Sequence, residues 1–96
     1  MTYRFLSPAE SDVADAMAYY EQAVPGLGLE FLDELEHTLH RILLHPEAWM
    51  RLSEEHRRCR LRRFPYGVIY TMEGDVVLVV AVFHFHRHPD SWKDRT

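Results

Sequence analysis

The chain reads as an α+β domain with the element order β-α-α-β-β-β: an N-terminal strand, then an antiparallel helical hairpin packed on one face of a small antiparallel sheet. Three observations predict this. A short β-favouring run, Thr2 to Leu6, leads directly into a helix-start signal, Ser7-Pro8-Ala9-Glu10. Two stretches with apolar residues at three- and four-residue steps follow, divided by Pro25-Gly26-Leu27-Gly28. From Arg58 onward the period changes to two, and Val76 to Phe83 is apolar throughout. Helices followed by a run of strands is the pattern of helices segregated to one face of a sheet.

Taken in order, Ser7 suits a helix N-cap, Pro8 the first helical position and Glu10 the reciprocal capping position. The first helix is predicted to run to about Ala23, with Val13, Ala16, Met17, Tyr20 and Val24 on its apolar face. Glu10, Asp12 and Asp15 sit near its N-terminus, where the helix dipole favours negative charge. The second helix is predicted over Leu29 to Leu44, with a stripe of Phe31, Leu32, Leu35, Leu39, Ile42 and Leu43. His45-Pro46 ends it, because the residue before proline disfavours helix. Glu47 to His56 reads as a polar connector from which Ala48 and Trp49 tuck back onto the helices. Arg58 to Phe64 alternates, with Cys59 and Leu61 toward the helices and Arg58, Arg60 and Arg62 on the opposite, open face. Tyr66 to Met72 is the next strand, Glu73-Gly74-Asp75 a hairpin turn, and Val76 to Phe83 a central strand covered on both faces. The first strand joins an edge. Past Phe85 the chain leaves the sheet, and Trp92 is the one large anchor of the tail.

Ninety-six residues suffice for one domain over 1–96 and not for two cores. No apolar run approaches the roughly 20 residues that span a bilayer, and the N-terminus has no signal-peptide pattern, so no membrane partner and a cytoplasmic setting are expected. One cysteine, Cys59, excludes an internal disulfide. The net charge of −4 conceals two unlike halves. Residues 1–55 hold three basic and eleven acidic residues, a net of −8, and residues 56–96 hold eight basic and four acidic, a net of +4. A local basic face on an acidic body points to a discrete anionic target or an acidic partner rather than to general coating of nucleic acid.

The basic residues concentrate in Arg57–Tyr70, where five arginines fall in the first seven positions with no acid among them. Like charges on alternate positions of one strand repel, so such a ladder is better explained by a ligand than by stability. Arginine suits phosphate or carboxylate through bidentate contacts. His84, His86 and His88 share one face if the chain stays extended, but no cysteine or ordered carboxylate set accompanies them. They read as a sheet-end hydrogen-bonding residue, His84, and two surface groups beside Arg87. No metal and no cofactor is expected. Cys59 should face the core and be unreactive. Tyr66, at the Phe64-Pro65-Tyr66 corner, is within reach of the open face. Trp92 would be a contact residue if exposed and would close the core if buried.

The run Arg62-Arg63-Phe64-Pro65-Tyr66-Gly67-Val68-Ile69-Tyr70 resembles the central signature of the RelE/ParE toxin superfamily of type II toxin–antitoxin systems. Val80-Ala81-Val82-Phe83-His84-Phe85-His86-Arg87-His88-Pro89-Asp90-Ser91-Trp92 resembles its C-terminal part. In the helical half, Tyr19-Tyr20, Gly28 with Phe31, and His45-Pro46 are similar as well. Arg58, Arg60 and Arg62 match the basic strand positions of RelE-type members, which cut messenger RNA on the ribosome. Gly67, however, occupies the place of a third-strand arginine, and Trp92 that of a C-terminal tyrosine. An indole cannot act as an acid or base. The Phe64-Pro65-Tyr66 corner and the Arg87-x-Pro89-x-x-Trp92 ending look more like the ParE branch.

That resemblance implies a toxin that inhibits DNA gyrase by binding and is neutralised by a cognate, ParD-like antitoxin whose disordered segment folds on the helices and sheet. It implies no catalytic residue. The target-binding residues would be Arg58, Arg60, Arg62, Arg87, Trp92, Tyr66 and His84. The alternatives are a ribosome-dependent mRNA endoribonuclease, with the ribosome and mRNA as partners, or a non-toxic antitoxin-binding module. A homodimer and a hetero-oligomer with the antitoxin both stay open.

Overall fold

The structure is a computed structural model, and it describes residues 1–86 and 92–95. Strand β1 (Thr2–Phe5) is followed by helices α1 (Ser7–Ala23) and α2 (Leu27–Leu44), then by β2 (Met50–Arg51), β3 (Arg57–Arg60), β4 (Tyr66–Glu73) and β5 (Val76–His84). The strands form one sheet in the order β1-β5-β4-β3-β2. The pairings β2–β3, β3–β4 and β4–β5 are antiparallel, but β1 pairs parallel with β5. The sheet is therefore mixed rather than purely antiparallel. The two-residue β2 was not expected in the connector; it arises where Met50 and Arg51 pair with Arg58 and Arg57. Among the described residues, no helix is long and apolar enough to cross a membrane.

Helix α1 begins one residue earlier than its sequence signal suggests. Leu6 is the N-cap, in extended conformation, and no side chain caps the helix. The parallel pairing explains the shift. The Leu6 amide is still bonded to the Val79 carbonyl, so Leu6 finishes the strand and the helix turns at Ser7. The first turn of α2 is capped from its neighbour. The Glu21 carboxylate accepts the amides of Gly26 (2.9 Å) and Gly28 (3.1 Å), two N–H groups near a helix start that need an acceptor. Gly28 is required for a second reason: a Cβ there would lie 2.8 Å from the Met17 carbonyl oxygen, so the two helices cross at backbone contact. Gly26, at φ +90°, supplies the left-handed turn before the helix.

The main core lies between the helices and the sheet. Phe31, Leu35, Leu39 and Ile42 of α2 and Ala9 and Ala16 of α1 meet Cys59, Val68, Tyr70, Val77, Val79 and Val82. Val24, expected on the apolar face of α1, is exposed, because the chain has already left the helix there. The Tyr70 hydroxyl donates to the Pro46 carbonyl, and burial pushes its pKa up to about 12.

A bulge sits in β5. Ile69 pairs with Ala81 but Tyr70 with Val79, leaving Val80 as the extra residue. Alternation then changes phase. Val77 and Val79 face the helices below the bulge and Val82 faces them above it, while Val80 and Ala81 turn to the other side. That other side is not simply open. Ile69, Val80, Ala81 and Trp92 form a second cluster, with Leu6, Leu52 and Phe83 at its margin. Beyond the end of β1 the outer edge of β5 is taken over by side chains. Asp12 accepts the Val82 amide (3.0 Å) and a bidentate pair of bonds from Arg95 (2.6 and 3.1 Å), and Arg95 also donates to the Val80 carbonyl (3.0 Å). The backbone groups around the bulge are thereby satisfied, and the tail is tied to α1.

Candidate functional site: an arginine cleft

Strand β3 ends at Arg60, earlier than alternation predicts. The chain then turns through 61–65, where the Leu61 amide bonds to the Tyr66 carbonyl and the Pro65 carbonyl receives the Phe85 amide. The turn divides the predicted ladder. Arg58 and Arg60 stay on the strand, on the face opposite the helices, with guanidinium carbons 5.1 Å and 4.0 Å from the Phe85 ring centroid. Cys59 and Leu61 point to the core as predicted. Burial raises the Cys59 thiol pKa, which removes it as a nucleophile. Arg62 lies beyond the strand, not on the face of Arg58 and Arg60. Its amide donates to Glu34 (3.3 Å), and its side chain also borders a smaller hollow with His37, His40 and Arg41.

Gly67 explains how Arg58 and Phe85 approach each other. It lies between them, and a Cβ there would stand 3.2 Å from both Arg58 Cγ and Phe85 Cε1. An arginine side chain at this position would displace the ring on which Arg58 and Arg60 rest.

Strand β2 covers only Arg57 and Arg58, so the outer edge of β3 is bare from Cys59 on. A cleft of about 670 Å³ opens there, lined by Arg41, Arg58, Arg60, Arg62 and Arg63 with Trp49, Met50 and the Leu61–Pro65 corner. Arg41 reaches it from α2, bonding Thr38 Oγ1 and the Arg60 carbonyl (both 3.1 Å), with its guanidinium 5.6 Å from the Trp49 ring. Arg63 is neutralised by Glu30 and Glu34. Among the described residues, no carboxylate lines the cleft or pairs with Arg41, Arg58, Arg60 or Arg62. Three buried donors of its walls, Arg41 Nε, Trp49 Nε1 and Arg58 Nε, have no hydrogen-bond acceptor. Guanidinium groups without a carboxylate partner have the charge and the paired N–H geometry that suit an anion.

The other sequence-predicted residues fall elsewhere. Tyr66 does not reach the basic face; it is buried among Tyr20, Phe31 and Phe64, since even positions of β4 face the helices. His84 ends β5 on the same side, against the Tyr66 ring and His86, and its Nδ1 accepts the His86 amide. Trp92 is buried, its ring 5.0 Å from that of His56; it packs the second face of the sheet instead of offering a contact. Arg87 and His88 lie outside the described residues. Among the described residues, no group of three metal-ligating side chains occurs. Sequence reasoning missed Arg41, Trp49 and Phe85 as members of the site. Arg41 stands on α2, far in sequence from the ladder, Trp49 read as a residue that tucks back onto the helices, and only the tertiary fold brings Phe85 over Arg58 and Arg60.

The described residues thus form a two-helix hairpin on a five-stranded sheet, with a basic cleft at the sheet edge and a buried cysteine. The family model described as the ParE toxin of the type II toxin–antitoxin system parDE matches residues 3–89, and the chain belongs to this family. Its fold is that of a chain from the chromosomal ParDE TA system of P. aeruginosa, with a TM-score of 0.75, 16% sequence identity, and coverage of 88% of this chain and 95% of that one. No curated protein matches.

Proposed function

We propose that this ParE-family toxin acts by binding DNA gyrase engaged with DNA, and that a cognate antitoxin neutralises it. The observation that supports binding over catalysis is the composition of the arginine cleft. Among the described residues its walls hold no histidine, carboxylate, free thiol or tyrosine, so the cleft has donors for an anion but no group there to take or give a proton near neutral pH. Arg58, Arg60 and Arg62, with Arg87, would supply charge to the target.

The antitoxin has a separate candidate surface. Tyr3 and Phe5 of β1, Val13, Ala14 and Met17 of α1, and Leu32 of α2 border an apolar groove of about 340 Å³, the kind of groove that accepts an amphipathic segment folding on binding. Ala14 is exposed at its rim. Purified toxin should inhibit gyrase supercoiling, and the product of the adjacent reading frame should relieve the inhibition. Ala14→Arg should weaken that relief and leave inhibition intact. Unimpaired supercoiling alongside cleavage of mRNA on ribosomes would overturn the proposal in favour of a ribonuclease.

A further inference from the structure

We infer that the arginine cleft is a site for the phosphodiester backbone of a nucleic acid strand, so that the protein contacts nucleic acid directly rather than through a protein target alone. The inference deepens the binding role proposed above and rests on that reading only for its biological setting; the chemistry stands on the cleft itself.

Apart from the weak acceptor Met50 Sδ, the polar side chains that line the cleft are donors. Five arginines line it, and four of them, Arg41, Arg58, Arg60 and Arg62, pair with no carboxylate side chain among the described residues. The Arg60 carbonyl, beside the bare stretch of β3, is already occupied by Arg41. A peptide brings an N–H donor with every residue and would need acceptors to add along that edge. A phosphodiester backbone brings acceptors only, and negative charge. The spacing agrees as well. Arg58 and Arg60 are two residues apart on one face of a strand, a repeat of about 6.7 Å, close to the separation of consecutive phosphates along an extended nucleic acid strand. The Phe85 ring steadies both guanidinium groups without neutralising them. The volume, about 670 Å³, lies within the roughly 300–1,000 Å³ of pockets that enclose a ligand. Trp49, Phe64 and Pro65 wall the cleft, which favours a single strand over a duplex.

The test is direct binding of the intact protein to a fluorescein-labelled oligothymidylate, followed by fluorescence anisotropy, with a matched duplex and a glutamate-rich peptide as competitors. Binding that weakens steeply between about 50 and 200 mM salt is expected. The double variant Arg58→Ala, Arg60→Ala should lose at least about tenfold in affinity, and its log–log salt slope should fall by about 1.4, or about 0.7 per lost phosphate contact. Arg51→Ala, at an exposed arginine outside the cleft, should change neither. Circular dichroism and Arg60→Lys, which keeps the charge and loses the fork, separate a folding failure from a binding one; Arg60→Lys should fall between wild type and the double variant. No salt-dependent binding, equal losses for Arg51→Ala and the double variant, or displacement by the peptide but not by unlabelled oligonucleotide would overturn the inference. A duplex that competes as well as the single strand would overturn the single-strand assignment. Supercoiling inhibition measured on the same preparations keeps the two readings apart: inhibition without oligonucleotide binding sinks this inference alone, and oligonucleotide binding without inhibition sinks the gyrase reading alone.

Discussion

Removing Arg95 should destabilise the whole domain, although it is the last described residue of the chain. The guanidinium makes two bonds to Asp12 and one to the Val80 carbonyl, and the two side chains are 19% and 21% exposed. A fully buried pair that loses one partner costs about 3–5 kcal/mol, and a solvent-exposed pair is worth about 0–1 kcal/mol. This pair lies between those limits, and truncation also strips the Val80 carbonyl of its donor, a loss of about 1 kcal/mol. Arg95→Ala is therefore expected to cost about 2–3 kcal/mol, a fall in Tm on the order of 10–20 °C for a domain of this size. Urea unfolding measures the cost. A cycle with Asp12→Ala should give a coupling of at least about 1 kcal/mol, since the residues touch. In a Trp49→Phe background, acrylamide should quench Trp92 more readily in the Arg95 variant. A cost below about 0.5 kcal/mol, or strict additivity with Asp12→Ala, would refute the view that this pair ties the tail to the bulge of β5.

Two further outcomes concern the scaffold. Gly28→Ala should lose about 1–2 kcal/mol in urea unfolding, because overpacking against the Met17 carbonyl outweighs the roughly 1 kcal/mol that alanine gains in a helix. Stability should also fall in alkali. Tyr70 keeps its proton in the fold up to about pH 12 but ionises near pH 10 when unfolded, so its contribution is whole below about pH 10 and is lost as pH rises through about 12. Tyr70→Phe should flatten that limb of the pH–stability curve and, by leaving the Pro46 carbonyl without its donor, cost about 1 kcal/mol at neutral pH.

Much of the fold is local information. The helix stripe from Phe31 to Leu43, the break at Pro25-Gly26 and the turn at Gly74 (φ +64°) follow from periodicity and backbone preference, which depend on near neighbours in the chain. The inward side chains of Cys59 and Leu61 followed from alternation for the same reason, and the helix–sheet layering followed from the order of the elements. The places where local reading failed are those where a distant segment decides. Ser7 carries a good cap signature, yet pairing with β5 holds Leu6 extended and makes it the cap. Alternation carried the ladder to Arg62, but the corner at Phe64–Pro65 stops β3 at Arg60 and sends Arg62 toward Glu34.

The site divides in the same way. The amino-acid sequence by itself determined that a dense set of arginines, free of intervening acids, sits beside a strand and a proline corner, and that one cysteine faces inward. Only the tertiary structure decided which arginines form a cleft. It brought Arg41 across from α2, used Gly67 to let Phe85 lie against Arg58 and Arg60, neutralised Arg63 with Glu30 and Glu34, and buried Tyr66 and Trp92. The physical reason is that charge and alternation are properties of a segment, whereas neutralisation and burial are properties of a neighbourhood. One inserted residue in β5, Val80, changes which side chains face which layer beyond it, and no periodicity in the apolar run Val76 to Phe83 announces it.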